Sequence, residues 1–310
     1  MRIVFFGSGA FGLPTLERLA AQHDVAAVIT QPDRRSGRGS KTTPTPIGAF
    51  AAGFIPRTPV LKPERIRDEV AAVREIEADA WVIIAYGQKL PPDLLAGRFA
   101  INLHASLLPR WRGAAPINAA VVAGDAHTGN SVIALAERMD AGVVYAQSHR
   151  TIEPDHTAGE LHDLLAGDGP DLVLSVLDQH AQDATQPVEQ DESRVTIAPK
   201  MSKADGWIDV AMSATTCRQR VHGLAPWPGV TVTHRDEPLR LLRVEDRTSE
   251  VDQTPGTIVD ASAGLVACGE RSSLRLIEVQ PAGKKPMAWR DFANGRHVET
   301  GEHIIGRTEP

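Results

Sequence analysis

The sequence predicts an α/β chain followed by a second, smaller β domain. Three observations predict it. Apolar runs at 2–6, 25–29, 80–85 and 99–104 alternate with helical patterns, as in a parallel, doubly wound sheet. From about Trp207 onward, five short β-like runs follow one another with turn signals between them, which suits a small barrel or sandwich. The length, 310 residues, exceeds the usual single domain. The expected architecture is a Rossmann-like, mostly parallel sheet over 1–185, a connector over 186–206 and an OB-like β-barrel over 207–310.

The elements follow in order. RIVFF at 2–6 ends in Gly7 and reads as a buried strand. Pro14 then opens a helix with Leu13, Leu16, Leu19 and Ala20 on one face. A second strand covers 25–29, and 31–46 reads as a polar loop rich in Pro and Gly. Helices are expected around 47–52 and across 63–77, and strands at 80–85 and 99–104. Past Gly113 come a helix at 116–123, strands at 131–136 and 143–149 that break the parallel pattern, and a helical stretch at 157–182 interrupted at 167–170. The second domain has a helix at 214–223 and strands at 230–234, 239–244, 256–260, 264–267 and 274–279. A loosely held tail is expected at 294–310, with room for a strand at 303–305.

Composition narrows the classes. Apolar residues are 42% and charged residues 23%, so a packed soluble protein is expected. The net charge of −6 lends no global support to a nucleic-acid partner. The two cysteines, Cys217 and Cys268, lack metal-ligand spacing and exclude a disulfide framework, so no metal and a cytoplasmic location are expected. No apolar run approaches the ~18 residues of a membrane helix. The N-terminus reads as a buried strand rather than a signal peptide.

The chemistry concentrates in INLHASLLPRWRG at 101–113. Asn102 and His104 stand two apart on an expected strand, so their side chains share a face. Asp140 follows in the Gly-bounded turn Met139-Asp140-Ala141-Gly142. Two donors for a developing oxyanion and a carboxylate to orient the imidazole make a kit for acyl transfer. Each residue alone is more often structural: Asn102 can tie a loop, His104 can cap a strand end and Asp140 can brace a turn. The three together, at the carboxyl end of a strand in a parallel sheet, favour a site. A second pattern, Gly7-Ser8-Gly9-Ala10-Phe11-Gly12, matches G-x-G-x-x-G, with Asp33 near the position of a ribose-binding acid. Pro14 falls inside what should be the first helical turn, so a tight strand–helix turn is preferred to dinucleotide binding.

With these residues in hand, the chain resembles the methionyl-tRNA formyltransferase family of formyltetrahydrofolate-dependent transferases. The resemblance runs over nearly the whole length. It is carried by FFG near the start, GRG at 37–39, AYGQKLP at 85–91, INLHASLLPRWRGAAPI at 101–117, AGDAHTGNSV at 123–132, MDAG at 139–142, APKMSKADGWID at 198–209 and PWPG at 226–229. The chain departs from the pattern at Gly7-Ser8-Gly9, where the family usually has Gly-Thr-Pro, and around Arg34-Arg35-Ser36 and 40–43.

The resemblance implies formyl transfer from 10-formyltetrahydrofolate to the α-amine of methionyl-initiator tRNA, in a cytoplasmic monomer with no metal. It gives Asn102, His104 and Asp140 the catalytic positions. It places Ser106, Leu107, Leu108, Pro109, Tyr86, Gly87, Leu90 and Arg138 around the folate, although Tyr86 and Leu90 are equally credible as core. Arg110 and Arg112 read as structural ion pairs. Stretch 33–41 carries four basic residues against one acid. Within it Arg38, with Lys41 nearby, would read the weak first base pair of the tRNA. Lys200 and Lys203 are further tRNA candidates. From 208 to 310 there are 13 Lys+Arg and 14 Asp+Glu, so the second domain offers at most one basic face. Competing readings are a formyltransferase acting on an amino sugar nucleotide or glycinamide ribonucleotide, a nicotinamide-dependent oxidoreductase, and a non-catalytic folate- or RNA-binding module.

Overall fold

A computed structural model of the chain describes residues 1–36, 41–247 and 250–306. The chain divides into two compact units whose segments interleave. One comprises Met1–Gly113, Gly129–Arg150 and His162–Ile197; the other comprises Ala114–Thr128, Thr151–Leu161 and Ala198–Pro310. The last change between them, at Ile197–Ala198, falls inside the connector expected over 186–206.

The first unit is built on a sheet of seven strands: β1 (Arg2–Gly7), β2 (Asp24–Ile29), β3 (Val60–Leu61), β4 (Ala80–Ile84), β5 (Ala100–His104), β6 (Ser131–Ala134) and β7 (Val144–Gln147). Their order is β7-β6-β5-β4-β1-β2-β3. The run from β5 to β3 is parallel, and β6 joins it antiparallel to both neighbours. The chain therefore moves outward from β1 to β3, returns to the other side of β1, and continues through β4 and β5. That reversal opens a crevice past the carboxyl ends of β1 and β4. All five residues of β4 are buried, as continuous apolar runs between two covered faces must be.

Several expectations are corrected. Within 31–46, Arg34–Ser36 and Lys41–Thr43 pair antiparallel as a hairpin, an arrangement that a Pro- and Gly-rich stretch disguises. The next helix is longer than expected, Pro46–Phe54, because the Thr45 hydroxyl caps it by accepting the Gly48 N–H at 2.9 Å. The helix expected over 63–77 shrinks to two turns, Ile66–Asp68 and Val70–Arg74. The helix Ala158–Ala181 runs through Pro170 without a break. Beside it, Gly169 lets the helix lie against Leu103, whose Cδ2 would be 2.6 Å from a Cβ there.

The G-x-G-x-x-G match is a packing device. The Ser8 and Gly9 N–H groups both donate to the Ala85 carbonyl, at 3.2 and 3.4 Å, and so are not free for a pyrophosphate. A Cβ on Gly7 would stand 2.6 Å from the Phe5 ring and 2.9 Å from the Ile84 carbonyl oxygen, so glycine is needed where β1 leaves beside β4.

The second unit contains β8 (Val230–His234), β9 (Glu237–Arg247), β10 (Ile258–Asp260), β11 (Leu265–Ala267), β12 (Ser273–Pro281) and β13 (Ile304–Ile305). They hydrogen-bond in the order β10-β11-β12-β9-β8-β13. A bridge between Thr257 and His303 joins the two ends, so the antiparallel sheet curls into a barrel. Of the loose tail expected at 294–310, residues 307–310 lie outside the described residues and the rest is corrected: helix Trp289–Arg296 buries Trp289, Phe292 and Ala293 on one face, and Ile304 is buried in the barrel. Asn294 and Gly295 read as breakers, yet both lie in the last turn of that helix.

Helix Ala214–Gly223 packs on the barrel and carries a fully buried histidine. The His222 Nδ1–H donates to the Pro154 carbonyl at 3.1 Å, and its Nε2 accepts the Val244 N–H at 3.2 Å. Burial pushes its pKa down from 6.5 to about 4, against the smaller opposing effects of the Pro154 hydrogen bond and Glu160 and with help from Arg218 and Arg243. The unfolded chain therefore takes up this proton first as the pH falls, so stability is held above about pH 6.5 and lost toward pH 4. The loss is about 3 kcal/mol at full amplitude. Urea midpoints measured across this window should fall steeply in the parent and less steeply in His222→Gln.

Candidate active site

Strand β5 delivers Asn102 and His104 to the carboxyl edge of the sheet, on one face. Asn102 lies opposite Ile133 and His104 opposite Ser131 on β6, so the antiparallel partner sets their register. The Asn102 amide is half-buried and has no hydrogen-bond partner among the described residues. His104 is buried, at 6% exposure. Its Nε2 lies 2.9 Å from the Trp111 carbonyl. A carbonyl only accepts, so this nitrogen carries a proton. Its Nδ1 faces Asp140 Oδ2 at 3.6 Å. At that distance the carboxylate faces the ring edge and orients it rather than hydrogen-bonding to it.

The Asp140 turn is braced from three sides. Its Oδ2 accepts the Gly113 N–H at 2.9 Å. Gln190 donates from Nε2 to the carbonyls of Asp140, at 2.8 Å, and Gly142, at 2.7 Å. Its Oε1 accepts from Arg112 Nε and Nη2, at 3.0 and 2.8 Å. Arg112 is itself buried and pairs with Glu192 at 2.8 Å. The Arg112 and then the Arg138 guanidinium hold the Glu192 carboxyl below the usual carboxylate range. Gly142 is required by closeness, since a Cβ there would sit 1.9 Å from the Ala134 carbonyl oxygen. Asp140 itself has φ +53°, a left-handed conformation that Asp tolerates in turns.

A cleft of about 410 Å³ opens at the reversal between β1 and β4, lined by Ser8, Gln31, Arg34, Thr45, Tyr86 and Gly87 among others. Ser8 ties its floor: its hydroxyl donates to the Tyr86 carbonyl at 2.9 Å and accepts the Gln31 N–H at 3.0 Å. The Gln31 amide nitrogen and the Tyr86 hydroxyl are buried there without partners among the described residues. The cleft adjoins the Asn102 edge, because Ile83 of β4 is in register with Asn102 of β5. An unpartnered amide, an imidazole backed by a carboxylate and an adjoining cleft can together stabilise an oxyanion at an acyl centre.

The comparisons with known proteins agree. Residues 1–177 match the model of the formyl transferase family, and residues 200–297 that of the formyl transferase C-terminal domain. The methionyl-tRNA formyltransferase of Methylococcus capsulatus is 40% identical over 98% of this chain and 99% of its own length. That of Acidiphilium cryptum is 41% identical over 98% of this chain and its own full length. The chain belongs to the methionyl-tRNA formyltransferase family. It is a transferase that carries both the family's formyl transferase domain and its C-terminal domain. Among solved structures, a sugar 3N-formyl transferase, WlaRD, aligns with a TM-score of 0.69 at 11% identity, over 92% of this chain and 99% of that one. HypX from Aquifex aeolicus, solved with tetrahydrofolic acid, aligns at 0.62 and 15% identity, over 97% of this chain and 48% of that one. At such identities these two show the shared fold.

Against this formyltransferase frame, the remaining expected site residues divide. Ser106 and Leu108 are buried behind His104. The Ser106 hydroxyl donates to the Arg110 carbonyl at 2.7 Å, and the Leu108 N–H donates to Ser131 Oγ at 3.1 Å. Leu107 and Pro109 are half-buried beside them. Tyr86 and Leu90 belong to the core cluster around Phe6 and Trp81, and the Tyr86 hydroxyl is buried without a partner among the described residues. Burial pushes that phenol up to about 12. Gly87 lines the same cleft with φ +89°. Arg138 is exposed and paired with Glu192 at 2.9 Å. Arg38 lies outside the described residues, and Lys41 begins the second arm of the hairpin. Lys200 and Lys203 are exposed in the second unit. Sequence reasoning missed Gln190. It sits 50 residues from Asp140 in a stretch read as a connector, and a lone glutamine gives no signal.

Proposed function

We propose that this chain moves a formyl group from 10-formyltetrahydrofolate to the α-amine of methionine esterified to initiator tRNA, giving N-formylmethionyl-tRNA for translation initiation. The convergence of Asn102, His104 and Asp140 at the carboxyl edge of a parallel sheet carries this reading, in a chain that shares 40% identity with named relatives over 98% of its length. The neutral amine attacks the formyl carbon, a C–N bond forms, and the carbonyl oxygen gathers negative charge. Asn102 and His104 donate to that oxygen. The bond to the folate nitrogen then breaks. That nitrogen takes up, through water, the proton that the attacking amine gives up.

Ser106, Leu107, Leu108, Pro109, Gly87, the Tyr86 hydroxyl and the backbone near Arg138 form the folate side. Leu90 supports it from the core. The 410 Å³ cleft, which Tyr86 and Gly87 line, gives the folate its room. Arg38, Lys41, Lys200 and Lys203 meet the tRNA, and the enzyme acts as a cytoplasmic monomer. No helix among the described residues is long and apolar enough to cross a membrane, which is consistent with that location.

The test mixes the protein with 10-formyltetrahydrofolate and methionyl-initiator tRNA and looks for formylmethionine by mass spectrometry. Product that vanishes in His104→Ala is expected. No product from folded, folate-binding protein would overturn the acceptor and direct the search to amino sugars.

A further inference from the structure

We infer that Trp227 is a stacking surface for an unpaired base of the RNA substrate; this rests on the tRNA acceptor proposed above. Among the tryptophans, Trp81 and Trp289 are buried, Trp111 lies under Arg110 and Trp207 lies 3.6 Å from the Arg220 guanidinium. Trp227 is half exposed, at 50%, and its ring has no aromatic or cationic partner among the described residues. An indole left in water at that fraction is a ready partner for another flat π-face.

The turn that holds it is fixed rather than loose. Arg240 donates from Nη2 to the Pro226 and Pro228 carbonyls on either side of Trp227. The Gly229 N–H donates back to the Leu224 carbonyl at 2.7 Å. Pro226 also lies against Gly159, where a Cβ would meet its Cδ at 2.8 Å. The ring is thus presented without further ordering, which keeps the cost of engaging a base small.

The surroundings suit a polyanion. The backbone of Gly206 lies against Gly229, since a Cβ on Gly206 would be 2.5 Å from the Gly229 carbonyl oxygen. This contact sets the Lys203–Asp205 turn beside the tryptophan turn. Lys200 and Lys203 are exposed and have no carboxylate partner among the described residues. The Asp205 carboxylate is spent on Ser202, at 2.6 and 2.8 Å. Arg240 is held by carbonyls, which leaves its charge uncancelled. A ring flanked by unneutralised cations fits a single-stranded stretch of RNA, with its base on the indole and its phosphates on Lys203 and Arg240.

The experiment compares the full chain with Trp227→Ala and Trp227→Phe, varying methionyl-initiator tRNA at saturating formyl donor. Trp227→Ala should raise KM for the tRNA by roughly 10-fold, with kcat and the KM for the donor unchanged, and Trp227→Phe should recover most of the loss. An unchanged KM in Trp227→Ala, or equal losses in both variants, would overturn the inference. Filter binding of the uncharged tRNA to the same proteins keeps the two readings apart. If the parent does not formylate, the acceptor reading fails, and a weaker affinity in Trp227→Ala alone would still support the stacking contact. Equal affinities for the parent and Trp227→Ala would sink it.

Discussion

His104→Ala should lower kcat for formyl transfer by roughly 10²- to 10⁴-fold, with the KM values for both substrates nearly unchanged. The ring is the positioned donor, with Nδ1 facing Asp140 at 3.6 Å and its Nε2–H anchored on the Trp111 carbonyl at 2.9 Å. An interaction stronger in the transition state than in the ground state appears in kcat, not in KM. Truncation also leaves the Trp111 carbonyl without its donor, so the thermal midpoint must be checked beside the rate. A loss confined to KM would assign the ring to binding instead.

Asp140→Asn should cost about 10²-fold or more in kcat while the turn survives. The amide oxygen still accepts the Gly113 N–H, and the Gln190 brace acts on backbone carbonyls that the substitution does not touch. The imidazole does lose the negative charge facing Nδ1. Because that gap is 3.6 Å, longer than a hydrogen bond, orientation through the field should dominate. The profile of kcat against pH should then keep its shape at a lower level. Loss of its acid limb would make Asp140 the group that takes the proton.

Much of this was legible from residue order because the physics is local. Period-two placement put Asn102 and His104 on one face, and the all-buried run of β4 marked a doubly covered strand. The helix at 214–223 was bounded correctly because the Ser213 hydroxyl caps it by accepting the Thr216 N–H. What escaped depends on distant partners. The hairpin at Arg34–Ser36 and Lys41–Thr43 is defined by pairing, not propensity. Helix Trp289–Arg296 ends in residues that favour turns, and is held by what Trp289 and Phe292 bury. The brace on Asp140 required knowing that Gln190 returns to it.

That returning strap has a consequence for cutting the molecule. A fragment ending with the helix Ala158–Ala181 would keep Asn102, His104 and Asp140 and lose Gln190, Glu192 and Thr196. Arg112 would be a buried cation with neither its amide nor its carboxylate partner, the Asp140 turn would lose both backbone anchors, and the Trp111 N–H would lose its acceptor. The smallest autonomous formyl-transfer module therefore ends past Thr196, beyond the last residue of the matched N-terminal family domain at 177. On the ribosome, likewise, the reaction centre can set only after the chain has been extended through this strap.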